Sequence, residues 1–115
     1  MGRSINTTGY SSSVTVGPVT TTYNASINER ILVDTTSAAF SITIPQNSDF
    51  EQGESIQIID IGHNLHNNPV TLSSSSILFA DGGSGDNSLL LDIPASTTTL
   101  ILFDDNGTRY WAVSV

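Results

Sequence analysis

Short runs in which apolar and polar residues alternate recur along the chain, and this alternation limits the fold more than any other feature. Residues 40–44 alternate as far as Pro45, and residues 55–61 alternate until two isoleucines meet. A period of two is typical of strands with one buried face, and no window combines helical spacing of apolar residues with a helix cap. Further runs predict the other strands: residues 14–16, 31–33, 70–72, 76–79, 89–91, 100–103 and 110–113.

Turn-forming residues separate these runs at the spacing expected of a sandwich or barrel. Asn106 and Gly107 stand between two of the runs, and this dipeptide favours a tight hairpin because both residues tolerate positive φ. The absence of a convincing internal repeat argues against solenoids and propellers. The predicted fold class is all-β, an antiparallel β-sandwich or barrel-like fold of about nine short strands.

The N-terminal part of the chain differs from the rest, since it is rich in serine and threonine and only weakly apolar. We therefore expect an extended N-terminal arm at residues 1–20 and a single β-sandwich domain at residues 21–115. A chain of 115 residues has room for one modest core. The first residues lack the apolar stretch of a signal peptide. No apolar run approaches the roughly 18 residues of a membrane span, so we expect no membrane partner.

The charge balance and the absence of cysteine exclude other classes of partner and site. The chain has three arginines, no lysine and eleven acidic residues, which give a formal net charge of −8. Nucleic acid binding requires clustered positive charge, and the field of this chain would repel a polyanion, so we expect no nucleic acid partner. Without cysteine, neither disulfides nor thiolate metal sites contribute.

Each group of residues suited to chemistry also has a structural explanation. His63 and His66 could share a metal ion with a third ligand, but they lie in a polar loop. The glycine-rich loop at residues 82–86 and the pair Asp104-Asp105 could offer oxygens to calcium, yet both have the composition of turns. A glycosidase acid/base pair would have to come from the acidic residues, which are the only abundant charge: Glu29, Glu51, Glu54 and Asp60. The sequence therefore predicts no catalytic residue, no cofactor and no metal site, and we expect a protein that is not an enzyme.

Strand edges are the remaining feature, because sheet proteins usually protect them with charged residues and above all with lysine. Only 12% of the residues are charged and none is lysine, so we expect other subunits to cover the edges. The polar N-terminal arm could add a strand to a partner. The predicted partner-contact residues lie in that arm: Arg3, Ile5, Tyr10, Val14 and Val16.

Residues 23–45 read YNASINERILVDTTSAAFSITIP. This stretch resembles a β-module of tailed-phage (cyanophage-like) virion structural proteins, found in tail-fibre, baseplate and capsid decoration proteins. In that module, a Tyr-x-Ala segment is followed by Arg-Ile-x-Val-Asp-Thr-Thr and by Ile-Thr-Ile/Leu-Pro. The likeness continues through a Gly-Glu-x-Ile-x-Ile-x-Asp strand at residues 53–60, an Asn-rich loop with its strand at residues 64–72, and an aromatic strand at residues 109–113. It implies a commonly oligomeric virion component without catalytic residues.

The resemblance implies two functions. The first, which we expect, is a capsid decoration or cement protein on the virion exterior that stabilises the shell by binding between capsomers. Its partner would be the major capsid protein or another virion protein, and a homotrimer is expected by analogy alone. The second is a tail-fibre or baseplate component that recognises a host-surface glycan through aromatic side chains such as Tyr10, Tyr23 and Tyr110. Either function places the protein in the virion, on the capsid exterior or the tail, after assembly in the host cytoplasm.

Overall fold

The computed structural model describes residues 13–46, 50–80 and 85–115. The regular structure in these ranges consists of strands, so the all-β prediction is confirmed. Nothing helical in the described part of the chain has the length and apolar character needed to cross a membrane. The strands are β1 (Val14–Val19), β2 (Tyr23–Asn24), β3 (Glu29–Val33), β4 (Phe40–Thr43), β5 (Ser55–Asp60), β6 (Val70–Ser73), β7 (Leu78–Ala80), β8 (Gly85–Asp86), β9 (Ser88–Leu91), β10 (Thr97–Asp105) and β11 (Thr108–Ser114).

The strands form two sheets with mixed pairing. One sheet has seven strands in the order β1-β3-β5-β10-β11-β7-β8, and the other has four in the order β9-β6-β4-β2. Strands β1, β3 and β5 are parallel neighbours, as are β2, β4 and β6. Strand β10 is antiparallel to β5 and β11, and β9 is antiparallel to β6. The structure therefore corrects two parts of the prediction. The sheets are mixed rather than purely antiparallel, and the strands form two sheets rather than a barrel. Alternation fixes which face of a strand is buried, but it does not fix the neighbour or its direction.

The parallel pairs arise because the chain passes from one sheet to the other and back. Strands β1, β3 and β5 lie in the seven-stranded sheet, and the intervening β2, β4 and β6 lie in the four-stranded one. These six strands wind as the coils of a short solenoid, a path that the sequence had argued against. Val16 pairs with Ile31 and Ile31 pairs with Ile58, so one coil takes 15 residues and the next takes 27. Coils of such unequal length leave no repeat in the sequence.

One apolar core fills the space between the sheets. The inward positions of the seven-stranded sheet alternate with outward ones, and its largest buried side chains are Trp111 and Phe79, both 0% exposed. Burial of a large apolar side chain contributes about 1.5–3 kcal/mol. The four-stranded sheet faces them with apolar side chains of its own, and the core includes Ile31, Val33, Ile56, Ile58, Leu100 and Leu102 from one sheet and Ile42, Val70, Leu72 and Leu91 from the other.

The hairpin predicted at Asn106 and Gly107 is confirmed. Strands β10 and β11 pair up to Asp105 and Thr108, which leaves two residues in the turn. Asn106 has a φ of 53° and Gly107 a φ of 90°, as a tight hairpin turn with two left-handed residues requires. The Gly107 N–H donates to Asp104 Oδ1 at 2.7 Å, so the aspartate side chain closes the turn.

The C-terminal end of the predicted arm lies within the seven-stranded sheet. Residues Val14–Val19 form β1, which runs parallel to β3, and the Val19 side chain is 8% exposed. The pairing register shifts between Val16 and Val19. Within the described residues β1 is one of the two edge strands of this sheet, and β8 is the other. Arg3, Ile5 and Tyr10 lie outside the described residues, so the arm assignment for them stays a prediction.

Candidate interaction surfaces

The two histidines lie in the loop between β5 and β6. The backbone N–H of His63 donates to Asp60 Oδ1 at 3.0 Å. Among residues 13–46, 50–80 and 85–115, no group of three or more His, Cys, Asp or Glu side chains is placed to hold a metal ion. The glycine-rich loop considered for calcium binding spans residues 82–86. Residues 81–84 lie outside the described residues.

Asp60 is a buried carboxylate that joins two loops. Its side chain is 3% exposed and stands at the end of β5. One oxygen accepts the His63 N–H at 3.0 Å, and the other accepts the Ala95 N–H at 2.9 Å. A buried carboxylate that accepts two backbone donors is satisfied by the protein itself. Its contacts therefore assign Asp60 a structural role rather than the acid/base role considered from the sequence.

Glu29 binds the phenol of Tyr23 and the start of its own turn. The Tyr23 hydroxyl donates to Glu29 Oε2 at 2.8 Å, and the Ser26 N–H donates to Glu29 Oε1 at 2.9 Å. Burial of the phenol, followed by its hydrogen bond to the Glu29 carboxylate, raises the pKa of Tyr23 to about 12. Glu54 also serves a turn, because its Oε2 accepts the Glu51 N–H at 2.9 Å.

The segment at Asp34-Thr35-Thr36 forms a hydrogen-bonded corner after β3. Asp34 Oδ1 accepts the Thr36 hydroxyl at 2.6 Å and the Thr36 N–H at 3.0 Å, and these bonds hold the pKa of Asp34 below its usual range. Thr35 is fully buried. Its carbonyl accepts the side-chain amides of Asn68 at 2.9 Å and Asn64 at 3.3 Å. The motif that carries the phage resemblance therefore makes contacts within the fold.

A shallow cavity of about 360 Å³ lies beside the hairpin turn, lined by Gln46, Ser76, Ile77, Gly107, Thr108 and Arg109. The Gln46 Oε1 accepts the N–H groups of Ser76 and Ile77 at 2.7 and 2.6 Å. The Arg109 guanidinium donates to the Phe50 carbonyl. Much of the polar lining thus holds neighbouring loops in place.

The edge of β1 presents backbone groups away from the sheet. The Val14 N–H donates to the Asn28 carbonyl at 2.9 Å, and Val14, Thr15 and Val16 are opposite Glu29, Arg30 and Ile31. In a parallel ladder, alternate residues of a strand bond to the same neighbour, so the N–H and C=O of Thr15 point away from β3. Val14 is 59% exposed, whereas Val16 packs against the core. Of the predicted contact residues that the structure describes, Val14 is therefore the accessible one.

A second surface is the outer face of the seven-stranded sheet, which we define by the side chains opposite to the core on β5, β10, β11 and β7. These side chains lie next to one another across the paired strands. Phe103 and Tyr110 stack there with ring centroids 5.5 Å apart, and Ile101 is 41% exposed near the centre. As far as the row of Phe103 and Tyr110, where we set its limit, the outer face comprises Ser55, Gln57, Ile59, Leu78, Ala80, Thr97, Thr99, Ile101, Phe103, Tyr110, Ala112 and Ser114.

The outer face carries no charged side chain at these positions, although the chain has eleven acidic residues. Charged side chains follow at its margins, where Arg30 lies on β3 and Asp105, the next outward position of β10 after Phe103, lies at the tip of the hairpin. The sequence did not reveal this surface, because alternation does not show which outward positions of different strands lie side by side. The signal was the type of polar residue, since hydroxyl and amide side chains fill positions where a free surface strand usually has charges.

A third surface is a small apolar cluster beside the edge strand β9. Leu90 and Ile93 are each 54% exposed, and Val115 is 71% exposed. They line a narrow groove that also includes Ser96 and Thr98. Three exposed apolar side chains make a modest patch, of the size common on soluble proteins.

No protein-family model matches this chain, and a search of curated proteins finds no significant match.

Proposed function

We propose that this chain is a non-catalytic structural protein that works through protein–protein contacts. Its proposed role is that of a capsid decoration or cement subunit of a tailed bacteriophage, bound between capsomers through the major capsid protein or another virion protein. The observation that carries the proposal is the outward edge of β1. The resemblance of residues 20–115 to a virion module supports the biological setting.

An unpaired strand edge is a ready template for another strand, because its N–H and C=O groups lack partners in the sheet. In the described part of the chain, the outward side of Thr15 offers one such donor and one such acceptor. The neighbouring Val14 side chain, at 59% exposure, adds apolar contact area. An extended segment of a partner can therefore add to the sheet beside β1.

The charge distribution also favours docking through the N-terminal part. Arg3 is the single charged residue before Glu29, and all eleven acidic residues lie at or after Glu29. A chain with a net charge of −8 repels acidic surfaces over most of its own surface. Residues 1–28 are the part of the sequence that avoids this repulsion, and they include β1.

The second candidate is a tail-fibre or baseplate component that recognises a host-surface glycan. The observation that favours it is the stacked pair Phe103 and Tyr110 on the outer face, because aromatic rings are suited to stacking on sugar rings. Tyr23 is less suited, since its hydroxyl is bonded to Glu29 and its ring packs against the core. Tyr10 lies outside the described residues.

The test is binding of the purified protein to particles that lack it, measured by co-sedimentation and electron microscopy. Because Val19 is buried in the sheet, the truncation should remove residues 2–12 and leave β1 in place. We expect this variant to keep the unfolding midpoint of the full chain and to lose particle binding. Particles without the protein should lack regularly spaced density on the capsid. Intact, fully decorated heads with failed adsorption would instead support the tail function.

A matched pair of substitutions tests the edge itself. Thr15→Pro removes the outward N–H without removing a bond to β3, whereas Thr15→Val keeps the N–H and changes only the side chain. Since loss of one hydrogen bond costs about 1 kcal/mol and the proline ring also obstructs an added strand, we expect Thr15→Pro to weaken particle binding by about tenfold or more. Thr15→Val should bind as the parent does. Equal binding by both variants would exclude the β1 edge as the contact.

A further inference from the structure

The outer face is unusual for a surface of this protein. The formal net charge is −8, yet the outward positions of the central strands, up to the row of Phe103 and Tyr110, hold hydroxyl, amide, aliphatic and aromatic side chains. Free surface strands usually carry charged residues, which keep them from pairing or stacking with other sheets. A neutral area in a highly charged protein is the place where a second molecule of the same charge can approach at the lowest electrostatic cost.

We propose that the outer face packs against the outer face of a second copy of this chain. The charges at its margins fit this occupant. Arg30 lies on β3, which flanks the outer face beside β5. Asp105 lies at the end of β10, at the opposite corner. From the strand spacing and the rise per residue, the two side chains are about 20 Å apart within one copy. A second copy related to the first by a two-fold axis brings its Asp105 to Arg30, and the same pair forms a second time with the copies exchanged.

The outer face has residue types that dominate protein interfaces. The stacked rings of Phe103 and Tyr110 adjoin Leu78 on the next strand, and Ile101 lies beside them. Aromatic side chains are enriched in the buried centres of interfaces, where charged residues are depleted. Arg30 and Asp105 then belong to the rim, where an ion pair guides orientation more than it adds affinity.

The size of the outer face is that of a weak interface. Four strands at a spacing of about 4.8 Å, each contributing about five residues at 3.3 Å, give a sheet area of about 320 Å² per copy. Two such faces bury about 640 Å² in total, which is in the range of weak, transient association. We therefore expect self-association that depends on concentration, with a dissociation constant on the order of 10–100 µM.

The proposal does not depend on the virion assignment, and its test uses the full chain alone. Sedimentation velocity from about 5 to about 500 µM should show a shift from monomer to oligomer for the parent protein. Ile101→Lys places a charge at the centre of the outer face, and Ile93→Lys makes the same change at an exposed site outside it. We expect Ile101→Lys to stay monomeric throughout and Ile93→Lys to associate as the parent does.

A charge exchange covers the case in which Ile101→Lys fails to fold. Arg30→Asp alone and Asp105→Arg alone should each weaken association several-fold, and the double variant should restore it because both rim charges are then exchanged in every copy. A parent protein that remains monomeric over the whole range would overturn the proposal. So would equal sedimentation of folded Ile101→Lys and the parent, or a double variant no better than the single ones.

Discussion

Replacement of Asp60 by alanine tests whether a buried carboxylate fastens two loops to the end of β5. The two oxygens accept the N–H groups of His63 and Ala95 at 3.0 and 2.9 Å, and the side chain is 3% exposed. Asp60→Ala removes both acceptors and leaves two backbone donors without partners. Asp60→Asn keeps one carbonyl oxygen and presents an amide donor to the other N–H.

The magnitude follows from the type of bond. A hydrogen bond to a charged group contributes about 1.5–3 kcal/mol, so loss of two gives an upper figure of about 6 kcal/mol. Water can reach part of the site once the side chain is shortened, and burial of the carboxylate itself has a desolvation cost that the variant avoids. We therefore expect Asp60→Ala to lower the free energy of unfolding by about 3 kcal/mol and Asp60→Asn by about half as much.

Urea unfolding followed by tryptophan fluorescence measures this change, because Trp111 is the single tryptophan and is 0% exposed. The slope of the unfolding free energy against urea concentration should be the same for the parent and the variants, because the same surface is exposed on unfolding. Asp92→Ala is the control, since it removes the same charge from an exposed side chain near Ala95 and should change stability by less than about 0.5 kcal/mol. If Asp60→Ala lost no more stability than Asp92→Ala, the assigned role of Asp60 would be refuted.

Two further predictions concern a glycine and a tyrosine. Gly17→Ala would place a Cβ 2.6 Å from the Leu32 carbonyl oxygen, at a φ of +131°. At Gly53 φ is +98° and no atom lies within 4 Å of the added Cβ, so Gly17→Ala should lower the unfolding midpoint clearly more than Gly53→Ala. Equal shifts of the midpoint would contradict this. For Tyr23, the absorbance of the parent and of Tyr23→Phe is measured as a function of pH. The difference between the two titration curves should be centred near pH 12 rather than 10.0. Because the folded pKa is raised, this group's contribution to stability is complete below pH 10.0 and is lost toward pH 12, and a difference step near pH 10.0 would contradict the assignment.

The strands and their buried faces were accessible from the sequence, because alternation reports directly on burial. Strand β4 begins at Phe40 as predicted, and the turn at Asn106 and Gly107 has the positive φ values that the dipeptide favours. Segment 14–16, one of the predicted strands, extends to Val19 in β1. The strand continues past the register shift that brings Val19 into the core. The glycine and proline at residues 17–18 interrupt the alternation, so the pattern did not predict the extension.

Strand pairing was not accessible, for a physical reason. The inward residues Ile31 and Ile58 would be equally buried whether β3 and β5 ran parallel or antiparallel. Direction is decided by the connection, and here β4 and the following loop carry the chain through the other sheet before β5 begins. A sequence with coils of equal length would have shown a repeat, and this chain has coils of 15 and 27 residues.

The candidate surfaces were partly accessible. The chain has no lysine to protect its strand edges, and for this reason contacts were predicted at edges. Val14, one of the predicted contact residues, lies on the edge strand β1. The outer face could not be recognised without pairing, because its members are spread over residues 55–114 and become neighbours through the registers of β5, β10, β11 and β7. Single outward positions such as Thr99 or Ala112 look like ordinary surface residues until they are placed side by side.

The resemblance to the phage module rests on residues whose contacts are internal. Ile31 and Val33 fill the core, Asp34 closes a turn through Thr36, and the Thr35 carbonyl accepts two asparagine amides from the next loop. In this chain these contacts stabilise the corner and the core. The motif therefore bears on the fold, and the choice of partner has to come from residues that the motif does not include. These are the outward positions of the outer face and the exposed residues Val14 and Thr15 of β1, where a sequence can change its partner without disturbing the corner or the core.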